Sequence, residues 1–470
     1  AALSATERVF NMGTLAAATA NPAALLGDAA NLAERTTGGG AMWDYVASAT
    51  FPTSTYVIDH DTLPLQLVIR SEKSISITQL GYVSGDFDEA VTYAIDNDVQ
   101  LDITGIDNKN LIVKVPSIAS SLQVAMDMAS KVIRPQDYTV NILIDAGHEP
   151  LSGLVCAGGN YGYISVSSID AEVTLSALFD TATSFIEGSN STMPKLNCLV
   201  DAASRCLNGY YLNVNCFGTV NAGCGVKNAL EDGLDALESI AKASDTIFTG
   251  AGRDGMRLQI SSQVNAQGAD VSNAGTMGFH ISRGSILSAN KSDSNITRAQ
   301  NCGSYGLRVF RSFATAGEAS LTGCLNGIYA DFAAVVNANM ADVSGSTSSG
   351  IIADKGSTVN FNDGIADLCL GSAIYCQDGS TVNSESATLT NATKWGIRAE
   401  RCATVNAEGA DVSGAVDNDG VFATGVSNVN INGGTTGVSG RYGINAERSS
   451  TVSARGVDTT LATVTGFRIS

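Results

Sequence analysis

Residues 350–361 read GIIADKGSTVNF, and residues 373–384 and 396–407 read AIYCQDGSTVNS and GIRAERCATVNA. The three segments share a small first residue, an isoleucine after it and the triplet Thr-Val-Asn. A small residue of this kind, which we call the anchor, recurs twelve times, mostly 23 residues apart, at positions 209, 233, 255, 278, 306, 327, 350, 373, 396, 420, 443 and 466. A period of about 20–50 residues indicates a repeat architecture.

Each repeat contains three short runs in which apolar and polar residues alternate. Positions one and three after the anchor are apolar or small, and positions nine and eleven flank a polar residue that is often Asn, as in Val359-Asn360-Phe361. A third run reads Ala-Asp-Val at 269–271, 341–343 and 410–412. Runs of period two form strands that bury one face. Three such strands per repeat predict a parallel β-helix, in which stacked Asn amides can bond from coil to coil.

Composition narrows the functional classes. The 470 residues include 46 acidic and 27 basic side chains, a net charge of −19. This excess of acid argues against nucleic acid as a partner, because phosphate backbones bind clustered Lys and Arg. No apolar run reaches the roughly 18 residues of a membrane span, so we predict no membrane insertion. Ten Cys without a Cys-x-x-Cys pair, and three His, predict free thiols, no metal and no cofactor.

The N-terminal part of the chain lacks the repeat. Residues 1–35 are rich in Ala and Leu and predict two short helices, whereas residues 41–70 carry short strand-like runs. Three domains are therefore predicted. They are a small α/β module at 1–72, a segment with a capping helix at 73–138, and the β-helix rod at 139–470.

Residues 85–95 read GDFDEAVTYAI and precede a strand-like run at 99–104. This segment resembles the Gly-Asp loop, capping helix and first strand that begin the pectate-lyase-like β-helices of tailed-phage tailspikes, although Phe87 stands where that motif usually has a second Gly. The resemblance implies an all-β, right-handed parallel β-helix of about 23 residues per coil. It also implies a homotrimer, made in the host cytoplasm and assembled into the virion. In such spikes the N-terminal module, here 1–72, attaches to tail or adaptor proteins, and the rod recognises a host surface polysaccharide.

The second position after the anchor points outward and stacks from coil to coil. It predicts an apolar strip of Tyr329, Ile352 and Tyr375, continued by Arg398 and Phe422. Contiguous exposed apolar surface usually marks an interface, so the first interpretation is a contact between subunits of a trimer. The second is a sugar-binding platform, because aromatic faces suit the C–H faces of sugars.

Acidic residues recur at the fourth position, as Asp331, Asp354 and Glu400, with Asp378 one place later. Paired carboxylates are what glycoside hydrolysis requires, at separations of about 5 Å or roughly 6.5–9.5 Å. The alternative is that these acids belong to turns and are neutralised by basic neighbours, Lys355 and Arg401. At the fifteenth position, Asp270 and Asp293 are predicted on adjacent coils and form a second candidate acid/base pair.

Three functions remain open from the sequence. The first is a tailspike that recognises a host polysaccharide and hydrolyses it through paired carboxylates. The second is a non-catalytic spike that binds and spaces, and the third is a free polysaccharide lyase. Tailspikes often add a trimerisation module after the last coil, whereas residues 466–470 lie in the first strand of a coil. We expect that a distal part is missing or that the rod ends unusually.

Overall fold

The computed structural model describes residues 110–117, 119–130, 132–133, 139–459 and 462–470, together with seven short strands between residues 9 and 102. The chain forms two compact units. The first comprises residues 1–145 with 163–165, and the second comprises residues 146–162 with 166–470. All twelve anchors therefore belong to the second unit.

The first unit contains a five-stranded sheet. Its strands lie in the order Val9–Met12, Ala29–Leu32, Ala41–Ala47, Leu65–Ile69 and Val57–Asp59. The first two strands are parallel, and the other pairs are antiparallel. The predicted helices of residues 1–35 are wrong at both strands, because pairing with neighbouring strands overrides the weak helix propensity of Ala and Leu. The described part of the predicted α/β module is thus all β.

The remaining strands of the first unit are parallel. One sheet consists of Ser74–Ser76, Gln100–Asp102 and Val132–Ile133. Asn110–Val115 pairs in parallel with Thr139–Ile144.

One helix is described, α1, which spans Leu122–Ser130. It begins after Ser121, whose hydroxyl accepts the N–H of Val124 at 3.2 Å and thereby caps the helix. The capping helix predicted over 87–95 lies outside the described residues. In the described part of the chain, no helix is both long enough and apolar enough to cross a membrane.

The second unit is a parallel β-helix of about 14 turns, with about 23 residues per turn. We call the sheet that contains the anchor positions the anchor sheet. Its 14 strands are Leu154–Ala157, Ile186–Ser189, Tyr210–Asn213, Leu234–Leu237, Asp254–Gln259, Met277–Ser282, Tyr305–Phe310, Asn326–Asp331, Ile351–Ala353, Ser372–Gln377, Trp395–Glu400, Val421–Thr424, Tyr442–Ala446 and Thr465–Ile469.

The second wall of the helix, the valine sheet, carries the Val of position nine on its inner face. Its strands in this unit are Thr192–Leu196, Phe217–Val220, Ile240–Lys242, Gln263–Asn265, Ile286–Ser288, Phe313–Thr315, Val335–Asn337, Thr358–Asn360, Thr381–Asn383, Thr404–Asn406, Asn428–Asn430 and Thr451–Ser453. The third wall begins with the strands Glu172–Thr174, Leu199–Asp201 and Gly225–Lys227. It continues as single bridging residues from Ile247 to Asp458.

The core is a stack of like residues. Ile328, Ile351, Ile374 and Ile397 pair on successive strands and are fully buried. Eleven of the twelve anchors are glycines, because other segments of the same chain approach them closely, and Ala373 is the exception. A Cβ on Gly327 would lie 2.4 Å from the Val343 Cβ and 2.8 Å from the carbonyl oxygen of the next anchor. Apolar burial of this kind contributes roughly 25 cal/mol per Å² and stabilises every turn.

Polar ladders join the turns. Asn360 donates to Asn337 and accepts from Asn383, which confirms the predicted Asn stacking. A second ladder, which the sequence did not predict, uses buried serines between the anchor and valine sheets. The Ser262 hydroxyl accepts the N–H of Ser239 at 3.2 Å and donates to the carbonyl of Gln259 at 2.6 Å. Each turn thus satisfies polar groups of its neighbour, as buried polar groups require.

Candidate functional site

The outward residues of the anchor sheet form one continuous row. Strand register stacks them in the order Val155, Glu187, Tyr211, Asp235, Arg257, His280, Arg308, Tyr329, Ile352, Tyr375, Arg398, Phe422, Asn445 and Arg468. We call this set the outer row. The structure therefore brings together the five residues predicted as a strip or interface, from Tyr329 to Phe422.

Aromatic rings predominate in the part of the outer row from Arg308 to Phe422, and two arginines, Arg308 and Arg398, lie among them. Rings contributed by residues just before the anchors join those of the row. We call the combined set the aromatic strip, and it comprises Tyr305, Arg308, Tyr329, Ile352, Tyr375, Trp395, Arg398, Phe422 and Tyr442. All of its side chains are half-buried, so they offer ring faces and edges to solvent while resting on the sheet.

Close packing holds the aromatic strip in place. Tyr305 and Tyr329 stack with ring centres 5.3 Å apart. The guanidinium of Arg398 lies 4.7 Å from the ring centre of Tyr375 and 4.5 Å from that of Trp395. Contacts between a guanidinium and aromatic faces are worth about 0.5–2 kcal/mol. The strip is therefore a preorganised surface.

The predicted acids Asp331 and Asp354 lie next to each other, both buried at the edge of the anchor sheet. Lys355 bridges them, with its Nζ 3.1 Å from Asp331 Oδ1 and 3.5 Å from Asp354 Oδ2. The ammonium also lies 4.1 Å from the ring centre of Phe332. This arrangement has the geometry of the turn alternative, in which the acids are neutralised by a basic neighbour.

Glu400 and Asp378 are also paired with arginines. Glu400 Oε1 accepts from Arg398 Nε at 2.9 Å, and its Oε2 accepts from the Tyr375 hydroxyl at 3.1 Å. Arg401 binds Asp378, and this contact holds the pKa of the Asp378 carboxyl below its usual range. A catalytic role for the four acids of this group stays a prediction.

The predicted pair of Asp270 and Asp293 is not brought together. Asp270 bridges in register to Arg298, because the longer turn between the anchors at 278 and 306 displaces the sequence by about five residues. Asp293 lies exposed in this longer turn. Its neighbours Ser292 and Asn295 bond to Asp245, and the turn walls a cleft of about 340 Å³ that Asp270 and Arg298 also line.

Sequence reasoning missed a cluster that lies beyond the Arg308 end of the aromatic strip, in the turns of the anchors Gly233, Gly255 and Gly278. Asp232, Asp235 and Asp254 are all buried there. Asp232 is bound by Arg253, whose Nε donates to Oδ1 at 2.9 Å. Burial raises the pKa of Asp232 to about 6, more than the bond from Arg253 lowers it, and burial also raises the pKa of Asp235.

Asp232 has a structural task. Its Oδ1 accepts the N–H of Asp254 at 3.2 Å, just as Asn208 accepts from Asp232 at 3.3 Å and Asp419 accepts from Tyr442 at 3.2 Å. In these turns the residue before the anchor serves as a side-chain acceptor that completes the backbone bonding of the next turn. Ionised or neutral, Asp232 can fulfil this task.

Asp254 differs from Asp232. Its Oδ2 lies 3.1 Å from Nδ1 of His280, and its Oδ1 is buried without a hydrogen-bond partner. His280 is flanked on the outer row by Arg257 and Arg308, whose Nε atoms are likewise buried and unpartnered. His280, one of three histidines, follows its anchor, whereas Asp254 precedes one, so a repeat counted forward from the anchor does not link the two residues.

Comparisons with known proteins were made on sequence and on structure. No protein-family profile and no curated protein matches the sequence. The tailspike gp42 of Acinetobacter phage vb_AbaP_AS12 is similar in structure, with a TM-score of 0.32 and 10% identity over 98% of this chain and 74% of that one. The periplasmic alginate epimerase AlgG gives a TM-score of 0.30 and 10% identity over 86% and 85%.

A third similar structure is the enzymatically active domain of tailspike protein 4 from bacteriophage CBA120. It gives a TM-score of 0.29 and 11% identity, covering 97% of this chain and 54% of that one.

Proposed function

We propose that this chain is the polysaccharide-recognising β-helix of a phage tailspike, and that a long glycan lies along the aromatic strip. The observation that carries the proposal is the row of ring faces on successive strands, with the guanidinium groups of Arg308 and Arg398 packed against them. Ring faces pack on the C–H faces of sugars, and guanidinium groups donate hydrogen bonds to hydroxyls and carboxylates. The strip supplies both on the strands Tyr305–Phe310 and Trp395–Glu400, and rings alone on four of its five other strands.

The repeat of the sheet suits a polymer. Neighbouring strands lie about 4.8 Å apart, so a chain that follows the helix axis meets the same kind of surface again at each turn. Burial raises the pKa of Tyr329 to about 12, which keeps its phenol neutral and able to donate. The tyrosine hydroxyls therefore add neutral hydrogen-bonding groups between the rings.

The tailspike part of the proposal draws on the segment at 85–95, which resembles the start of tailspike β-helices. In this proposal residues 1–72 attach to tail or adaptor proteins, residues 73–138 lead into the rod, and residues 139–470 form the rod of a homotrimer on the virion.

The aromatic strip could instead be the contact between trimer subunits, as the first interpretation of the sequence had it. The arginines of the strip favour glycan, because Arg308 has a buried Nε without a hydrogen-bond partner, which a surface of rings on a partner subunit would leave unpaired. Such buried, unpaired donors cost about 1–3 kcal/mol each. The double variant Y375A/R398A distinguishes the two interpretations.

The test is affinity electrophoresis of the protein through purified capsular polysaccharides and O-antigens, both neutral and uronate-containing. We expect wild type to be retarded by at least one polymer, and Y375A/R398A to lose at least about tenfold in affinity. The control is Phe313→Ala, which removes an exposed aromatic ring from the valine sheet. Sedimentation of the same proteins reports the oligomer.

Three results would count against the proposal. If Y375A/R398A dissociates the oligomer, the strip is a subunit interface. If no polymer retards the wild-type protein, the strip does not bind glycan. Retardation that F313A abolishes but Y375A/R398A leaves intact would move the site to the valine sheet.

A further inference from the structure

At the Arg308 end of the aromatic strip, the outer row changes from aromatic to basic residues. Three consecutive strands there present Arg257, His280 and Arg308 in register. In a chain with a net charge of −19, this places two guanidinium groups on either side of the one histidine of the row. Although aspartates lie buried beneath them, these outward guanidinium groups can donate to an anionic group of the ligand.

Asp254 orients the imidazole of His280 in a way that suits proton transfer. Its Nδ1 lies 3.1 Å from Oδ2 of Asp254, a carboxylate that is 1% exposed. A carboxylate at Nδ1 fixes the tautomer that carries its proton there, and this makes Nε2 the basic nitrogen. The imidazole side chain is 17% exposed, so it is accessible from the outer face although its partner is not.

Arg257 and Arg308 each have an N–H donor without a partner. Arg308 lies between two rings, 5.8 Å from the centre of Tyr305 and 5.9 Å from that of Tyr329. Its Nε and that of Arg257 are buried without a partner in the structure, as is Oδ1 of Asp254. Buried polar atoms without partners usually await a ligand or a proton, because their desolvation is otherwise uncompensated. Here the three atoms belong to the residue that contacts His280 and to its two neighbours in the outer row.

A second turn of the same β-helix contains a structural counterpart of the Asp254–His280 pair. Asp419 also precedes an anchor. Asn445 lies seven turns beyond His280 in the outer row, at the same position after its anchor, and its Nδ2 donates to Oδ2 of Asp419 at 3.0 Å. Asn445 satisfies the buried carboxylate without being able to take up a proton. The fold therefore needs a donor at this position, and the imidazole adds an ability that the fold does not require.

We propose that His280, positioned by Asp254, cleaves uronate-containing polysaccharide by β-elimination. The proposal rests on the proposed glycan binding, because the aromatic strip would deliver the polymer to this end of the row. Arg257 and Arg308 bind the sugar carboxylate and stabilise the charge that develops next to it when the neighbouring carbon loses its proton. His280 acts as the base that removes this proton.

The step balances without any co-reactant. Nε2 of His280 takes the proton from C5, and the electron pair of the C5–H bond forms the double bond between C4 and C5. The bond from C4 to the glycosidic oxygen breaks, and that oxygen leaves with the bonding pair. The imidazolium then returns its proton to the leaving oxygen, so that His280 ends neutral and the products are an unsaturated uronate and a free hydroxyl.

The experiment uses the full chain and the uronate-containing polymers of the binding panel, with alginate and polygalacturonate added. Unsaturated product is followed by the ultraviolet absorbance of its double bond. The decisive variant is His280→Asn, which reproduces the Asn445 arrangement and so keeps the hydrogen bond to Asp254. We expect H280N to bind polymer like wild type and to lose at least about 100-fold in rate, the usual contribution of a general base.

Two further variants separate chemistry from structure. Imidazole added to H280A should restore part of the cleavage, which a purely structural role of the side chain would not allow. D254N should lower kcat with little change in KM, because the carboxylate acts on the imidazole and does not touch the sugar. The matched control is His148→Asn, a histidine remote in sequence from the anchor strands, which should cleave like wild type.

The outcomes distinguish this proposal from the one on which it rests. Polymer that is retained but yields no unsaturated product overturns the elimination and leaves glycan binding intact. Saturated oligosaccharides, or equal rates for H280N and wild type, also overturn it. Retention of neutral polymers alone overturns the uronate specificity, and failure to retain any polymer overturns the proposed function itself.

Discussion

At the scale of single residues, burial separates the ten cysteine thiols into classes. None of them is in a disulfide, eight are buried, Cys224 is half-buried and Cys402 is exposed. Burial raises the pKa of several thiols, those of Cys156 and Cys376 to about 12, and thiol reactivity requires the thiolate. The free thiols predicted from the sequence are confirmed.

Cys402 should therefore dominate thiol chemistry in the native protein. We expect a disulfide reagent that releases a coloured thiolate to titrate one thiol per chain rapidly, with Cys224 following more slowly. Cys402→Ser should remove the fast phase, and denaturant should expose all ten thiols. Several fast thiols in native wild type would show that turns open readily.

Asp232 links the stability of the cluster to pH. Its pKa is raised from 3.8 to about 6, so the folded state holds the proton more tightly than the unfolded state does. The stabilisation is full below about pH 3.8 and is lost as the pH rises through about 6, and the loss amounts to roughly 3 kcal/mol.

D232N should abolish this dependence while keeping the side-chain oxygen that accepts the N–H of Asp254. We expect the midpoint of urea unfolding to fall between about pH 4 and about pH 7 more steeply for wild type than for D232N. D419N is the matched comparison, because Asp419 occupies the same position before its anchor. Parallel pH profiles for wild type and D232N would contradict the raised pKa.

At the scale of elements, the Asn ladder joins strands of the valine sheet. Asn360→Ala removes two amide bonds, one to Asn337 and one from Asn383, and should lower the free energy of unfolding by about 1–3 kcal/mol. The control is Asn265→Ala in the same row, where the side chain accepts only from the nearby backbone of Gln267. Urea unfolding followed by circular dichroism measures both. Equal losses would mean that stacking of the amides contributes nothing.

The sequence was sufficient to predict the strands and rows of the β-helix, because a strict period places like residues on like faces in every turn. The period also predicted which residues follow Tyr329 along the outer row. It failed where the turn length changes, as at Asp293, since an insertion in a turn shifts the count without shifting the strands. It also failed for Val9–Met12, where pairing decided the structure and no repeat was present.

The dyad of Asp254 and His280 shows a different limit. An Asp before one anchor and a His after the next are 26 residues apart, and no alternation links them. Their contact depends on the chain turning at the glycine so that the preceding side chain reaches under the next strand. Such a contact is a property of packing, which sequence spacing alone does not reveal.

At the scale of the whole molecule, the aromatic strip spans seven strands of the anchor sheet, from Tyr305–Phe310 to Tyr442–Ala446. At about 4.8 Å between strands, this is roughly 29 Å of surface. A ligand that follows the axis gains contacts with each further sugar until it outgrows the strip.

Affinity should therefore rise with oligosaccharide length and then reach a plateau. We expect titration calorimetry on size-fractionated oligosaccharides to show this rise for wild type, because each added contact is made within one bound molecule. Phe422→Ala should lower the plateau while leaving the affinity of the shortest fragments unchanged. An affinity that is independent of length would indicate a small pocket instead of an extended surface.

The in-register stacking of the turns has a consequence for how such a chain can change over generations. Strands pair with partners 23 residues away, so loss or duplication of a segment such as 351–373 leaves every remaining strand beside a partner of its own kind. A gain of one residue within a strand would turn its inner face outward. Recombination in whole repeats is therefore the accessible route, and it would alter the length of glycan that fits while preserving the chemistry that holds it.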